Sequence, residues 1–206
     1  MKKFEGFAYE VIKGNVIIEN LCNSNSKIII PNEIDGKPVI GISAWGFADS
    51  REIYSIKIPD SVIDLYGRAF KNCTKLSTIK VSKNLELIGF DCFSNTQLKS
   101  KPAIYKAFNI TERGLVCRDY LFKENEWSEE IDEIMPCERG YHYCTNLFEI
   151  FNYYFGALDK DIAIYICEVG DKIIKTSTSK CVTNKIKPIK RLGREDIIRI
   201  LNGGDV

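Results

Sequence analysis

Residues 56–73 read IKIPDSVIDLYGRAFKNC, and the pattern of this stretch returns 23 residues later. Phe47, Phe70 and Phe93 form one column at that spacing. Four further columns follow the same period, namely Ile42/Leu65/Ile88, Asp49/Asn72/Asn95, Ile56/Ile79 and Ile58/Val81. A period in the twenties is typical of a solenoid, in which stacked units share one core. The repeat therefore predicts a short stack of similar turns.

Each unit has the pattern of a short strand followed by a return. Residues 55–59 and 78–82 alternate apolar and polar side chains, which predicts half-buried strands. The repeated phenylalanine is expected to insert between layers, and Trp45 is assigned to the same buried aromatic column. Gly14-Asn15 is predicted to turn a hairpin between residues 9–12 and 16–18, so that residues 9–30 form a cap.

These residues resemble the BspA-type leucine-rich repeats of bacteria. The matching segments are residues 58–62, residues 69–76 and the lead-in 30–39, and the resemblance covers about residues 8–98. It implies that the stack binds other macromolecules and does not perform catalysis. The alternative is that the stack serves only as a spacer or a cap for the rest of the chain.

The second half of the chain has a different pattern. The polar hinge Lys99-Ser100-Lys101-Pro102 ends the period, so we predict one domain over residues 1–100 and a second over 101–206. The second is expected to be a small α+β domain, which makes the overall fold class α+β with a leading solenoid. Its predicted strands are 103–108, 115–122, 140–144, 162–169, 181–183 and 186–189, and its predicted helices are 147–154 and 194–202.

Composition and charge narrow the function classes. The chain of 206 residues holds 29 Lys and Arg against 28 Asp and Glu, so a strongly basic nucleic-acid-binding coat is not indicated. The first residues lack the apolar core of a signal peptide, and no apolar run approaches the ~20 residues that span a bilayer. We therefore predict a cytoplasmic protein without a membrane partner, whose eight cysteines are reduced thiols.

Charge is nevertheless segregated in the second half. Residues 124–138 contain seven acids and no base, and residues 172–194 contain eight bases and no acid. One interpretation is a polar surface for a partner; the other is that the two stretches attract each other. Few aromatic residues accompany the basic stretch, which disfavours nucleic acid without excluding it. The predicted partner-binding residues are Trp127, Glu129, Glu130, Lys185, Lys187, Lys190, Arg191 and Arg194.

Residues 103–201 resemble an uncharacterised domain of phage and bacterial proteins, and they are loosely similar to ADP-ribosyltransferases. The second likeness rests on Gly140-Tyr141-His142-Tyr143 before a helix that ends in tyrosine. It implies that Arg118, Tyr141 and Tyr143 bind NAD and that Glu168 stabilises the developing ribosyl cation. The chain lacks the His-Gly-Thr opening, the Ser-Thr-Ser strand and the Glu-x-Glu pair of those enzymes.

His142 is the only histidine, so a catalytic Ser-His or Cys-His arrangement must use it. Cys137, His142 and Cys144 could begin a metal site, but their spacing is loose and we predict no metal. No cofactor is predicted, and NAD is the substrate of the enzymatic alternative.

The favoured function is an intracellular protein-binding module, encoded by a phage or mobile element, that acts on a bacterial target protein as an inhibitor or adaptor. The alternatives are an NAD-dependent ADP-ribosyltransferase that modifies a macromolecule and a purely structural adaptor. The oligomeric state stays open.

Overall fold

The first half of the chain is a β-solenoid. The computed structural model describes residues 1–23, 25–154, 158, 160–176 and 180–205. The strands of the first half are β1 (Lys2–Phe4), β2 (Phe7–Ile12), β3 (Asn15–Leu21), β4 (Lys27–Ile29), β5 (Glu33–Ile34), β6 (Lys37–Ile42), β7 (Ser55–Lys57), β8 (Asp64–Leu65), β9 (Thr78–Lys80) and β10 (Leu87–Ile88).

Two parallel ladders hold the turns of the solenoid together. One ladder joins β3, β6, β8 and β10, and the other joins β4, β7 and β9. In the second ladder Ser55 pairs with Thr78, and in the first Asp64 pairs with Leu87. Both pairs are 23 residues apart, so the sequence period is the register of the stack. The predicted repeat strands are confirmed as β7 and β9, although both are shorter than predicted.

The repeated phenylalanines form a continuous buried ladder. Phe47 and Phe70 have ring centroids 5.5 Å apart, and Phe70 and Phe93 have centroids 5.7 Å apart. Phe7 of the N-terminal hairpin extends the ladder at its other end, 6.2 Å from Phe47. Burying each ring stabilises the fold by about 1.5–3 kcal/mol, so the ladder is the centre of the solenoid core.

A second ladder is polar and lies where the chain turns. Asp49, Asn72 and Asn95 have φ of 60°, 60° and 58°, in the left-handed region that aspartate and asparagine tolerate. The Asn72 amide donates to the Asp49 carboxylate at 3.1 Å, and the Asn95 amide donates to the Asn72 side-chain oxygen at 2.7 Å. Each turn is therefore tied to the next by one side-chain hydrogen bond.

The predicted N-terminal hairpin is confirmed, but its turn lies one residue earlier. The register pairs Ile12 with Asn15, so the two turn residues are Lys13 and Gly14. Their φ values are 49° and 83°, and positive φ at both central residues is the signature of the turn that matches strand twist.

The second half is mostly β with few helices. Its elements are β11 (Tyr105–Thr111), β12 (Gly114–Cys117), β13 (Tyr120–Phe122), β14 (Tyr141–Cys144), α1 (Leu147–Ile150), β15 (Ile162–Val169), β16 (Ile173–Lys175), β17 (Lys180–Thr183), β18 (Ile186–Leu192) and α2 (Arg194–Leu201). The strands form one antiparallel sheet, and within the described residues the only helices are these two short ones. The strand β16 was not predicted.

Two local predictions in this half are wrong. Residues 115–122 are a hairpin and not one strand, because Cys117 pairs with Tyr120 and Arg118 turns with φ of 54°. The helix from Leu147 stops at Ile150 and does not reach residue 154. Asn146 caps it as predicted, but the Glu149 carboxylate accepts from the Asn152 amide at 2.9 Å.

An α+β domain of the ADP-ribosyltransferase type is therefore not supported. The division at residue 100 stays a prediction, and the hydrophobic core is continuous across it. Asp91 N donates to Phe151 O at 2.8 Å, and Val81 N donates to the Asn202 side-chain oxygen at 2.8 Å. The second half thus covers the open end of the solenoid, where a short stack needs a cap.

Candidate protein-binding surface and cavity

One corner of the solenoid exposes an aromatic side chain on each of three consecutive turns. Residues 43–45, 66–68 and 89–91 occupy the same place in their repeat units, and Trp45, Tyr66 and Phe90 lie within them. These side chains are 50%, 37% and 37% exposed. We call Trp45, Tyr66, Arg68 and Phe90 the aromatic corner.

The assignment of Trp45 to the buried column is wrong. The column runs through Phe47, and Trp45 lies two residues earlier with φ of 65°. Arg68 and Asp91 have nearly the same φ, 62° each, at the equivalent positions of the next two turns. The repeat therefore places position 45 in a left-handed bend outside the core.

The cation at the centre of the corner is held between two rings. The guanidinium carbon of Arg68 lies 4.8 Å from the Trp45 ring centroid and 5.8 Å from the Phe90 ring centroid. Arg68 Nε is also 3.5 Å from Asp91 Oδ2, and Lys71 Nζ is 2.5 Å from the same oxygen. Tryptophan, tyrosine and arginine are the residue types enriched at binding hot spots.

Two glycines keep the turns of the corner close together. A Cβ at Gly89 would lie 2.3 Å from the backbone nitrogen of Gly67, well inside van der Waals contact. Glycine at position 89 therefore permits this approach of neighbouring backbones. Trp45 and Phe90 meet around Arg68, while Tyr66 is exposed on the middle turn and its hydroxyl donates to the Asp64 carboxylate at 3.4 Å.

The acidic and basic stretches that contain the predicted partner residues contact each other. Lys185 Nζ is 3.3 Å from Glu130 Oε2, and both Lys185 Nζ and Lys187 Nζ lie 5.5 Å from the Trp127 ring centroid. Lys187 also forms an ion pair with Glu168 at 3.1 Å. The mutual attraction weighed as an alternative is therefore present at these residues, whereas residues 177–179 of the basic stretch lie outside the described residues.

The remaining predicted partner residues are dispersed. Glu129 is exposed, and its backbone oxygen accepts from the Tyr141 hydroxyl at 3.0 Å. Lys190 and Arg191 are exposed at the C-terminal end of β18. Arg194 begins α2 and lies 3.9 Å from Glu86 of the solenoid.

A cavity of about 350 Å³ opens where the sheet of the second half splits. The strands β11 and β14 pair only at Tyr105 and Cys144, while β12 joins β11 from Asn109 onward. The structure brings four predicted residues together in the lining: Arg118, Tyr141, His142 and Tyr143. It does not bring Glu168 there: Glu168 is not part of the lining, and its carboxylate pairs with Lys187.

His142 is an uncharged hydrogen-bond acceptor in this cavity. Burial and then the neighbouring cations Lys180, Lys106 and Arg118 lower the pKa of His142 to about 4. Its Nε2 accepts from the backbone N–H of Cys137 at 2.9 Å. Among the described residues no cluster of three potential metal ligands occurs.

Two features of these sites were missed in the sequence. The sequence does indicate the aromatic corner, because each of its three aromatic residues falls within the same three-residue window of the 23-residue unit, although at a different position in it. The position of Lys106 in the cavity was hard to predict from the sequence, because Lys106 is one polar residue in an alternating strand. The carbonyl group that it contacts, that of His142, is 36 residues away. Lys106 is only 3% exposed, and no pattern in the sequence predicts that a lysine is buried there.

Comparisons with known proteins match both halves. The family described as BspA type Leucine rich repeat region (6 copies) matches residues 17–125. A family described as Domain of unknown function (DUF7666) matches residues 103–200. Comparison with the curated proteins gave no match. In the described part of the chain, no helix has the length and apolar character needed to cross a membrane.

Similar solved structures are leucine-rich repeat proteins of bacteria. The T. pallidum protein TpLRR is 25% identical over 46% of this chain and 45% of its own, with a TM-score of 0.44. A Bacteroides capillosus protein is 26% identical over 41% of this chain and 67% of its own, with a TM-score of 0.39. A Bacteroides ovatus protein is 26% identical over 48% of this chain and 28% of its own, with a TM-score of 0.43. The chain thus spans less than half the length of TpLRR.

Proposed function

The chain belongs to the BspA-type leucine-rich repeat family, and on that premise we propose that it is a protein-binding module whose aromatic corner contacts the partner. The observation that carries the proposal is that exposed Trp45 and Phe90 lie on either side of Arg68, with exposed Tyr66 on the same turn as Arg68. A cluster of large aromatic side chains around an arginine supplies the buried anchors that dominate binding energy at protein interfaces.

The charges of the corner favour a protein over a nucleic acid. Arg68 and Lys71 both lie against the carboxylate of Asp91, which compensates one of their two positive charges and occupies the place where phosphates would have to bind. The whole chain carries a net charge of only +1. Nucleic-acid binding depends on several cations that neutralise phosphates, and Arg68, Lys71 and Asp91 together supply an excess of only one.

The finer parts of the proposal concern origin, compartment and target. We propose a product of a phage or mobile element that acts in the cytoplasm on a bacterial protein, as an inhibitor or adaptor. The origin is proposed only from the resemblance of residues 103–201 to an uncharacterised domain of phage and bacterial proteins, since the family that matches residues 103–200 has no assigned function. The eight cysteines are all unbridged, which is compatible with a reducing compartment.

The enzymatic alternative gains no support. Transfer of ADP-ribose from NAD needs a carboxylate beside the reacting carbon, and Glu168 is outside the cavity that holds Arg118, Tyr141 and Tyr143. The comparisons do not favour it either. Binding through the aromatic corner requires no cofactor.

The test compares two surfaces that each contain one exposed tryptophan. Tagged wild-type protein, the double variant Trp45→Ala/Phe90→Ala and the variant Trp127→Ala are used to capture partners from a lysate of the bacterial host, with quantification by mass spectrometry. Trp45 and Trp127 are 50% and 45% exposed, so the two variants are matched in the kind of side chain removed. A hot-spot loss of about 2 kcal/mol or more weakens binding by about 30-fold.

We expect one protein to be retained by wild type and by Trp127→Ala and to be lost from the corner variant. If Trp127→Ala loses the partner and the corner variant retains it, the interface is the charged surface of the second half. Equal retention by all three proteins would contradict binding through either tryptophan.

A further inference from the structure

The edge of β11 that faces the cavity has no strand beside its central residues. β15 pairs with β11 from Tyr105 to Asn109 along one edge. On the other edge β14 pairs only at Tyr105 and β12 begins at Asn109, so among the described strands none pairs with residues 106–108 there. Side chains satisfy the separated backbones instead: the Tyr154 hydroxyl donates to Ala107 O at 2.9 Å.

Lys106 places a buried positive charge beside this gap. Its side chain is 3% exposed, and Nζ donates to His142 O at 2.8 Å and to Cys117 Sγ at 3.5 Å. The ammonium also lies 5.3 Å from the Phe108 ring centroid. Among the described residues no carboxylate forms an ion pair with it. A buried charge without an opposite charge is costly, so a bound anion would stabilise it.

The charged side chains among the described lining residues are mostly cationic. Lys106, Arg118 and Lys180 line it, and Glu138 is the one carboxylate among its described lining residues. His142 contributes no charge near neutral pH because its pKa is lowered to about 4. Lys106, which forms no ion pair with a described carboxylate, and Arg118 thus place two cations at one cavity, which suits the anionic oxygens of a phosphate monoester. The guanidinium of Arg118 is suited to two phosphate oxygens at once.

The rest of the lining is rich in aromatic rings. The tyrosines of the cavity wall are Tyr120, Tyr141, Tyr143, Tyr153 and Tyr154. A planar ring stacks on such side chains with little dependence on its identity. The volume of about 350 Å³ lies at the small end of the range for ligand sites.

We propose that this cavity binds a small phosphate monoester that carries a planar ring, the chemistry of a nucleoside monophosphate. The phosphate lies against Lys106, Arg118 and Lys180, and the ring lies against the tyrosines. The site belongs to the second half and goes beyond the proposed protein binding by the solenoid. Failure of one proposal therefore leaves the other in place.

The first experiment is calorimetric titration of the full chain at low salt with AMP and UMP. Adenosine, inorganic phosphate and 4-hydroxyphenylacetate are titrated in parallel to separate the ring, the phosphate and a carboxylate. We expect AMP to bind at least about tenfold more tightly than adenosine or phosphate alone, since each tenfold is about 1.4 kcal/mol. No binding of either nucleotide at about 1 mM, or tighter binding of 4-hydroxyphenylacetate, would overturn the proposal.

Two variants that each remove one cationic side chain test whether AMP binds in this cavity. Arg118→Gln removes a cation of the cavity in an exposed turn, and Lys190→Gln removes an exposed cation that is not part of the lining. We expect Arg118→Gln to weaken AMP binding about tenfold and Lys190→Gln to change it less than about twofold, as a lost charge-assisted pair predicts. Equal effects of the two variants would overturn the proposal, because they would indicate a nonspecific charge effect.

Cys117 gives a readout that needs no variant and no folding control. This thiol lines the cavity, while Cys22 is exposed in the solenoid. AMP is expected to slow alkylation of Cys117 by iodoacetamide about tenfold at ten times its dissociation constant and to leave Cys22 unchanged. An unchanged rate at Cys117 while AMP binds would overturn the assignment to this cavity.

Discussion

The ring of Phe93, the last aromatic of the solenoid ladder, meets the ring of Phe148 in α1 edge-on, with centroids 5.3 Å apart and planes at 89°. Both side chains are buried. Phe151 contacts Phe93 as well, at 6.0 Å. The aromatic ladder of the repeat therefore continues into the second half, which covers the terminal turn as a capping unit does. Through this contact each half contributes to the stability of the other.

Truncation of Phe93 should weaken the whole chain. Phe93→Ala removes a ring that contacts Phe70, Phe148 and Phe151, and the expected loss in the free energy of unfolding is about 3–5 kcal/mol. Urea unfolding followed by circular dichroism measures it. Phe90→Ala is the matched control, because Phe90 is 37% exposed, and its loss should stay below about 1 kcal/mol.

The fluorescence of the two tryptophans can show whether the two halves of the chain unfold together. Trp45 lies in the solenoid and Trp127 in the second half, so Trp127→Phe and Trp45→Phe each leave one reporter. Coincident urea transitions of the two variants are expected for one cooperative unit. A clear separation of the two midpoints would contradict the shared core.

At position 72 of the polar ladder, replacement by glycine should destabilise the protein less than replacement by alanine. Asn72→Gly loses the hydrogen bonds to Asp49 and Asn95 but keeps φ of 60° without steric cost. Asn72→Ala loses the same bonds and adds left-handed strain, so it should be less stable than the glycine variant by about 1 kcal/mol. Thermal unfolding of both variants measures the difference.

The control position is Ser77, which is exposed and is not among the left-handed residues. There the order should reverse, with alanine more stable than glycine by about 0.4–1 kcal/mol, because glycine adds freedom only to the unfolded chain. The same order at both positions would mean that the Asn72 backbone does not require its left-handed conformation.

Thiol reactivity should separate the eight cysteines by exposure. Cys22 and Cys137 are exposed, Cys117 is half-buried, and the remaining five are buried. Burial raises the pKa of Cys73 and of Cys144 to about 12, so their reactive thiolates are scarce at pH 8.

Ellman's reagent should therefore show two fast thiols in the native protein and all eight in urea. The double variant Cys22→Ser/Cys137→Ser should lack the fast phase. More than three fast thiols in native wild type would contradict the burial of the core cysteines.

The solenoid was predictable because its period is also its pairing register. Ser55 pairs with Thr78 at the spacing read from the sequence, so strands, phenylalanine ladder and turns followed together. The exposure of Trp45 was not predictable from proximity to Phe47, because it depends on a left-handed backbone. Arg118 turns a hairpin without a glycine, so residues 115–122 looked like one strand.

The cavity depended on pairing that one sequence does not reveal. Lys106 and His142 meet only because β11 and β14 pair at one residue and then separate. The alternation of apolar and polar residues predicted both strands, but it did not predict which strands lie next to each other in the sheet. The 23-residue period can be read from neighbouring repeat units, whereas the split in the sheet depends on which strands pair, and these strands are far apart in the sequence.

The single histidine gives a direct measurement of the electrostatics of the cavity. Burial, and then the charges of Lys180, Lys106 and Arg118, lower the pKa of His142 from 6.5 to about 4. Between these values the unfolded chain takes up a proton that the folded chain does not. The contribution of this group to the free energy of unfolding is thus complete above pH 6.5 and is lost as the pH falls toward 4.

NMR titration of the one imidazole resonance should give a midpoint near pH 4, and a midpoint near 6.5 would contradict the buried position of the ring. Urea midpoints at pH 7 and pH 5 should differ more for wild type than for His142→Gln, which lacks the titrating group. Bound AMP should raise the NMR midpoint, because the negative charge of its phosphate beside Lys106 offsets the cations that help to depress the pKa of His142. An unchanged midpoint in saturating AMP would place the nucleotide away from His142.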